Sequence, residues 1–321
     1  MPTFADMVYH LGGVPVSSEF PLCVGNVYFV GSSGGSDAYD GKTKDKPFAT
    51  IDKALTYCTL NDMIILLPGH AETVNSTAVF NIDKAGVTLW GMGNYTRRPT
   101  FTVTTGSTAT CAAVTAANVR LHNLRFVAGL KTVTRGVFVD ASGVVIDNCR
   151  FDDVAASSFN FDYCIETGST AHSADGLVIQ NSTFFCGSSL AEGVINLGAA
   201  NDNWKINGNS MFCNPSTGTL APINSGSTLA CANFTIMGNC IVNAFTTTTN
   251  PGIRVRSEPA GTQGVIAYNL IAQGSTDVAT FKTNSVLVSS SALAGAIGIF
   301  ENYVCGKVAM SGILSPAVVT S

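Results

Sequence analysis

The chain has 321 residues, a formal net charge of −4 and only 12% charged side chains. Its 17 Lys and Arg are scattered, which argues against nucleic acid as a partner, and no apolar run approaches the roughly 20 residues of a membrane-spanning helix. The 32 Gly, with abundant Thr, Ser, Asn, Val and Ala, disfavour long helices and favour short strands joined by tight turns.

Residues 1–25 read as an N-terminal arm. Phe4, Met7, Val8 and Leu11 fall on one stripe of a short helix, Gly12-Gly13 stops it, and Val14-Pro15-Val16 begins an extended stretch. Met1–Asp6 has neither the basic region nor the apolar core of a signal peptide, which predicts synthesis and folding in a cytoplasm. The ten cysteines show no CxxC pair and no zinc spacing, and in a reducing compartment they read as small buried apolar side chains. The Asn-X-Ser/Thr sequons at Asn75, Asn94, Asn181 and Asn233 carry no meaning without a secretory route.

Residues 26–62 form a capping module: a strand at Val27–Val30, a Gly/Ser/Asp loop from Gly31 to Gly41, then a short helix opened by Pro47-Phe48. Phe48, Ile51, Leu55 and Cys58 share its apolar face. An open sheet end invites aggregation unless something covers it, and this module is the predicted cover.

From residue 63 to 321 strand-like runs recur, first at Met63–Pro68, Val79–Ile82, Val87–Trp90 and Phe101–Val103. A self-similar phrase then sets in: Val119-Arg-Leu-His-Asn123-Leu-Arg-Phe126, Val144-Val-Ile-Asp-Asn148-Cys-Arg-Phe151 and Leu177-Val-Ile-Gln-Asn181-Ser-Thr-Phe184. A version with one more residue before the Asn follows at Asn209, Asn239, Asn269 and Asn302. Successive Asn lie 25, 33, 28, 30, 30 and 33 residues apart, the range of solenoid repeats.

Each phrase alternates apolar and other residues with period two, and no helix-length amphipathic segment lies between phrases. One strand per coil cannot bury itself, whereas parallel strands stacked about 4.8 Å apart can. The reading is all-β: a right-handed, single-stranded parallel β-helix of about eight or nine coils, with a short capping helix and the arm. Val119, Val144 and Leu177 should then stand in one column, Leu121, Ile146 and Ile179 in a second, and Phe126, Phe151 and Phe184 in a third. The seven Asn fit a turn, because Asn tolerates left-handed backbone angles and its amide bonds to the Asn above and below.

Tyr28–Gly41, Lys46–Leu55 and Met63-Ile-Ile-Leu-Leu-Pro-Gly-His-Ala-Glu-Thr-Val74 resemble the opening of pectin-lyase-like β-helix proteins, a resemblance specific for fold and silent on chemistry. Phe4–Val16, joined to that module, is similar to the N-terminus of tailed-phage virion proteins that decorate capsids. For Phe4, Met7, Val8, Leu11, Val14 and Val16 two roles stay open: folding back onto the solenoid, or docking on a capsid lattice.

Enzymes on this fold work with carboxylates from adjacent coils, and the candidates are Asp152, Asp153, Asp162, Glu166 and Asp175. Register places Val127 and Phe185 beside Asp152, and Ala128 and Cys186 beside Asp153, so no second carboxylate faces that pair, which reads as a solvated turn. Arg125 stacks over Arg150, and Arg254 and Arg256 share a strand face, a solvated or interfacial row with an anion contact as the other option. His10, His70, His122 and His172 are far apart in sequence, and His122 with Asp147 reads as an exposed polar pair. Gly31–Gly35 lacks the Lys of a phosphate loop, and Trp90 and Trp204 alone make a weak sugar platform. No catalytic set, metal site or cofactor motif emerges.

The resemblance therefore implies a non-enzymatic virion protein on the capsid exterior, made in a bacterial cytoplasm. Its partners would be the major capsid protein and two further copies of itself in a homotrimer. The alternative is a tailspike-like protein that binds or depolymerises host surface polysaccharide.

Overall fold

A computed structural model of the chain describes residues 23, 25–74, 78–104, 110–154, 159–187, 192–213, 221–225, 231–243, 251–256, 262–273, 286–289 and 297–306. The arm residues Phe4, Met7, Val8, Leu11, Val14 and Val16 lie outside them, as does His10.

Among the described residues three parallel sheets form a β-solenoid, with the strand pairings within each sheet joining one coil to the next. Sheet I has ten strands and runs from Val27–Val30 through Arg120–His122, Val145–Asp147 and Val178–Gln180 to Ile297–Phe300. Sheet II has nine, from Ala71–Val74 through Arg125–Ala128 and Arg150–Asp153 to Tyr303–Gly306. Sheet III has eight, from Ala78–Ile82 through Val133–Val139 and Phe161–Thr167 to Val286–Ser289. Eight rounds of the chain place a strand in all three sheets, in agreement with the sequence period.

The expected columns are present. Ile146 pairs with Leu121 below and Ile179 above, and Phe151 with Phe126 and Phe184. The rings of Phe126, Phe151 and Phe184 stack inside the solenoid with centroids 5.0 and 4.9 Å apart, fully buried. Seven of the nine cysteines with described side chains are buried as well, and burial pushes the Cys58 and Cys149 thiols up to about 12.

The module at 26–62 is continuous with the solenoid, because Val27–Val30 pairs in parallel with Met63–Leu66. Its helix, Ile51–Tyr57, buries Ile51, Ala54 and Leu55, and Phe48 and Cys58 are buried beside them. Thr50 caps the helix through its side chain, and Asp37 accepts hydrogen bonds from the N–H groups of Ala49 and Thr50 at 2.9 and 3.1 Å. Gly41, at φ +66°, lies so close to Phe48 that a Cβ would fall 2.2 Å from its ring. Buried Asp62 ties module to coil, accepting from Asn26 N–H at 2.6 Å and Thr59 N–H at 2.7 Å.

The seven asparagines all sit at the corner between sheets I and II, but in two columns rather than one. Asn123, Asn148 and Asn181 take left-handed angles themselves, with φ of 57°, 52° and 52°. Asn148 donates to Asn123 Oδ1 at 3.3 Å, but Asn181 donates to Asp147 Oδ1 instead. In the second half the left-handed residue is the one before the Asn: Gly208, Gly238, Tyr268 and Glu301. Asn209, Asn239, Asn269 and Asn302 consequently turn inward and are buried. Their Nδ2 groups donate to the next Oδ1 at 3.0, 2.9 and 2.8 Å, and also to the carbonyls of Ile179, Ile206, Ile236 and Ile266. Ser182 occupies that inward position one coil earlier, and its N–H donates to Asn209 Oδ1 at 3.0 Å. The turn has the same length in both halves, with Asn181-Ser182 matched by Gly208-Asn209, so the later Asn stands one position further on and its side chain points to the other face.

Candidate anion-binding face

On the outer side of sheet I, Trp90, His122, Asp147 and Gln180 occupy one column on successive coils. The His122 ring stacks on Trp90 with centroids 3.8 Å apart, and the Arg120 guanidinium lies 5.6 Å from the Trp90 ring centre. Asp147 gathers four donors: Arg120 Nη2 at 2.8 Å, His122 Nδ1 and Asn181 Nδ2 at 3.1 Å each, and Gln180 Nε2 at 3.3 Å. Burial alone would raise the Asp147 carboxyl, but the bonds from His122, Arg120 and Asn181 outweigh it and hold the group well below the usual carboxylate range. The expectation of an exposed pair is thus corrected. His122 and Asp147 are neighbours, but Asp147 is only 6% exposed, because Arg120, Gln180 and Asn181 close around it.

Around the corner, on sheet II, Arg125 and Arg150 stand in register. Both reach Asp152, through Nε at 2.6 and 2.8 Å. The predicted solvated turn at Asp152-Asp153 is therefore corrected as well. Both residues end a strand and are buried, Asp152 between two guanidinium groups and Asp153 accepting the N–H of Phe161 at 3.0 Å. As register foresaw, Val127 and Phe185 flank Asp152, and Ala128 pairs with Asp153.

Arg98 comes to the same corner from the loop before Thr100 and donates to Asn148 Oδ1 at 3.3 Å. Burial pushes its guanidinium down from its ordinary value. Arg98 Nε and Arg120 Nε have no hydrogen-bond partner. Tyr95, three residues before Arg98, is 89% exposed. Three arginines thus pair with two aspartates on one edge of a chain that is acidic as a whole, and Arg98 bonds Asn148 beside them. Such an edge can hold anions spaced along the solenoid axis at about the 4.8 Å strand repeat.

The other sequence candidates lie elsewhere. Arg135 pairs with Glu166 on the outer face of sheet III, and Asn196 donates to Glu166 at 3.0 Å. Asp162 is raised to about 6 by burial and by the charges of Glu192 and Glu166. Arg254 stands over Asn224 on that sheet, and the Arg256 side chain is outside the described set. His70 is buried under the cap and accepts the N–H of Ser32 at 3.0 Å. His172 and Asp175 meet at the corner between sheets III and I. Sequence reasoning missed Arg98 and Arg120 as members of the arginine corner and did not place Trp90 on His122. The available signal was the repeat of Leu89-Trp90 in Leu121-His122, which lacks a marker Asn in its first copy.

Residues 33–304 match the family model described as "Protein of unknown function (DUF1565)". The chain belongs to that family. No curated protein matches this DUF1565 chain. Among solved structures it resembles an alginate lyase from Paenibacillus sp. str. FPU-7, at 15% identity and a TM-score of 0.52, over 80% of this chain and 93% of that one. It also resembles a pectin methylesterase from carrot, at 12% identity and a TM-score of 0.49, over 94% and 91% of the two chains. At 15% identity the likeness to the alginate lyase shows the parallel β-solenoid fold alone and nothing about chemistry. Among the described residues no helix is long and apolar enough to cross a membrane.

Proposed function

We propose that this DUF1565 chain binds an extended anionic polymer, an acidic polysaccharide of a host surface, along the corner between sheets I and II. The observation that carries the reading is the gathering of Arg98, Arg120, Arg125 and Arg150 around only two carboxylates. Arg125 and Arg150 present the same fork on adjacent coils, which suits a ligand that repeats its charge. Exposed Tyr95 beside Arg98 adds a flat apolar surface for a sugar ring.

The reading is of binding rather than cleavage. Asp152 is engaged by two guanidinium groups and Asp147 is held ionised, so neither is placed to deliver a proton. Affinity electrophoresis of the purified protein in polyuronate and in neutral glucan gels tests it. Retardation by the acidic polymer alone is expected, weakened by salt and by Arg98→Ala with Arg125→Ala. Equal retardation in both gels, or none, sinks the reading. Release of shortened chains would replace a binder by a depolymerase.

A second reading, decoration of a tailed-phage head as a homotrimer on the major capsid protein, rests on the resemblance of residues 4–16. Deleting residues 1–25 separates the two. Decoration requires loss of particle binding with β-rich circular dichroism intact, whereas the polysaccharide reading leaves gel retardation unchanged.

A further inference from the structure

The corner on the other side of sheet I, where the chain arrives from sheet III, carries an unrelated constellation. Asp175 and Asp202 each stand three residues before a sheet I strand, Val178–Gln180 and Lys205–Asn207, and so occupy equivalent places on adjacent coils. His172 reaches them from the same turn as Asp175. Its Nδ1 lies 3.2 Å from Asp175 Oδ2 and 3.6 Å from Asp202 Oδ2, and one ligand atom from each of the three residues falls within 4.8 Å of the others.

From these distances we propose that His172, Asp175 and Asp202 form a site for a first-row divalent metal ion of the zinc or manganese type. Donors bound about 2.1 Å from one ion lie roughly 3.0 to 3.4 Å from each other in octahedral or tetrahedral geometry, against 3.2 and 3.6 Å from His172 Nδ1 to the two carboxylates here. An imidazole with two carboxylates suits these ions and not calcium, which takes oxygen donors.

The backbone of the next coil orients each carboxylate. Asp175 Oδ1 accepts the N–H of Asp202 at 2.7 Å, and Asp202 Oδ1 accepts the N–H of Ala232 at 2.6 Å. Each leaves Oδ2 directed to the imidazole, the outer-shell support that metal-binding carboxylates generally have. The N–H of His172 donates to Ala200 O at 2.7 Å, which fixes the backbone that carries the ring. The His172 side chain is 56% exposed, so the remaining coordination positions face water. The site has no residue in common with the arginine corner and stands or falls independently of the proposed polysaccharide contact.

Calorimetric titration of the full-length, untagged, chelator-treated protein with Zn²⁺, and separately with Mn²⁺, tests the proposal. One equivalent with a micromolar Kd is expected for at least one ion, weakened about tenfold or more in His172→Gln and in Asp202→Asn. Both side chains are at least a quarter exposed, and circular dichroism checks that the variants keep the β-rich fold. No saturable binding up to about 1 mM of either ion would overturn the site and leave a histidine paired with two carboxylates. Unchanged affinity in both variants overturns it equally, since the ion would then sit elsewhere.

Discussion

The corner between sheets I and II is built in two ways along the same molecule. In the earlier coils its polar groups are outside: Arg98, Arg120, His122, Asp147, Arg150 and Asp152 face outward while Leu124 and Cys149 fill the interior of the turn. In the later coils the interior of the turn is a chain of buried amides, from Asn209 to Asn302, and the outside carries Tyr268, Leu270, Phe300 and Tyr303 with 43–50% exposure. A single residue separates the two designs. Where the left-handed position is the Asn itself, its side chain serves the surface; where Gly208 or Gly238 takes that position, the following Asn turns in. The same letter at nearly the same period therefore does two different jobs.

Substitutions that break one half without the other sharpen this contrast, beginning with the largest effect. Phe151→Ala removes the middle ring of the earlier half's interior stack and should cost about 4 kcal/mol in equilibrium unfolding by denaturant. Asn239→Ala leaves the carbonyl of Ile206 and the N–H of Asn209 without their partners, and a loss of about 3 kcal/mol is expected. A loss under about 1 kcal/mol would show that the amide chain contributes little beyond shape.

Acid should act on the earlier half first. The Asp147 carboxyl is depressed in the folded chain, so its stabilisation is complete above the ordinary carboxylate value of about 4 and is lost as pH falls through the lower folded value. Asp147→Asn should flatten the fall in melting temperature between about pH 5 and pH 2 while lowering it at neutral pH. An unchanged acid slope would mean that Arg120 and His122 do not hold the charge. The smallest effect belongs to Asn148→Gly. The left-handed angle suits Gly, and the side chain makes only 3.3 Å contacts with Asn123 and Arg98, so a change under about 1 kcal/mol is expected.

Much of the architecture was readable from residue order because stacking forces like onto like. Leu121, Ile146 and Ile179, or Phe126, Phe151 and Phe184, recur because each must fill the same interior space as its neighbour. The opposite corner escaped for a related reason. Asn61, Gly86, Asn118, Gly143, Gly176 and Asn203 take left-handed angles two residues before a sheet I strand, and Asn233 does so immediately before Phe234–Met237. They satisfy one backbone requirement with two residue types, so the column shows no constant letter.

The candidate site was less legible still. Arg125 over Arg150 followed from register, but the closure of Arg120 and Trp90 around His122 depends on a coil that carries no marker Asn. Arg98 arrives from a loop, where no period operates. The burial of Asp152 escaped because it requires knowing that two guanidinium groups converge on one carboxylate.

Each inward amide from Asn209 to Asn269 donates to the Oδ1 of the next Asn and to an Ile carbonyl of the coil before, so each meets the same two acceptors as its neighbour. A tandem duplication of one turn in this stretch would offer its neighbours the contacts they already have, so the tower can be lengthened without inventing a new junction. Height would then be a quantity that selection can adjust in whole storeys, while the cap and the charged edge stay where they are.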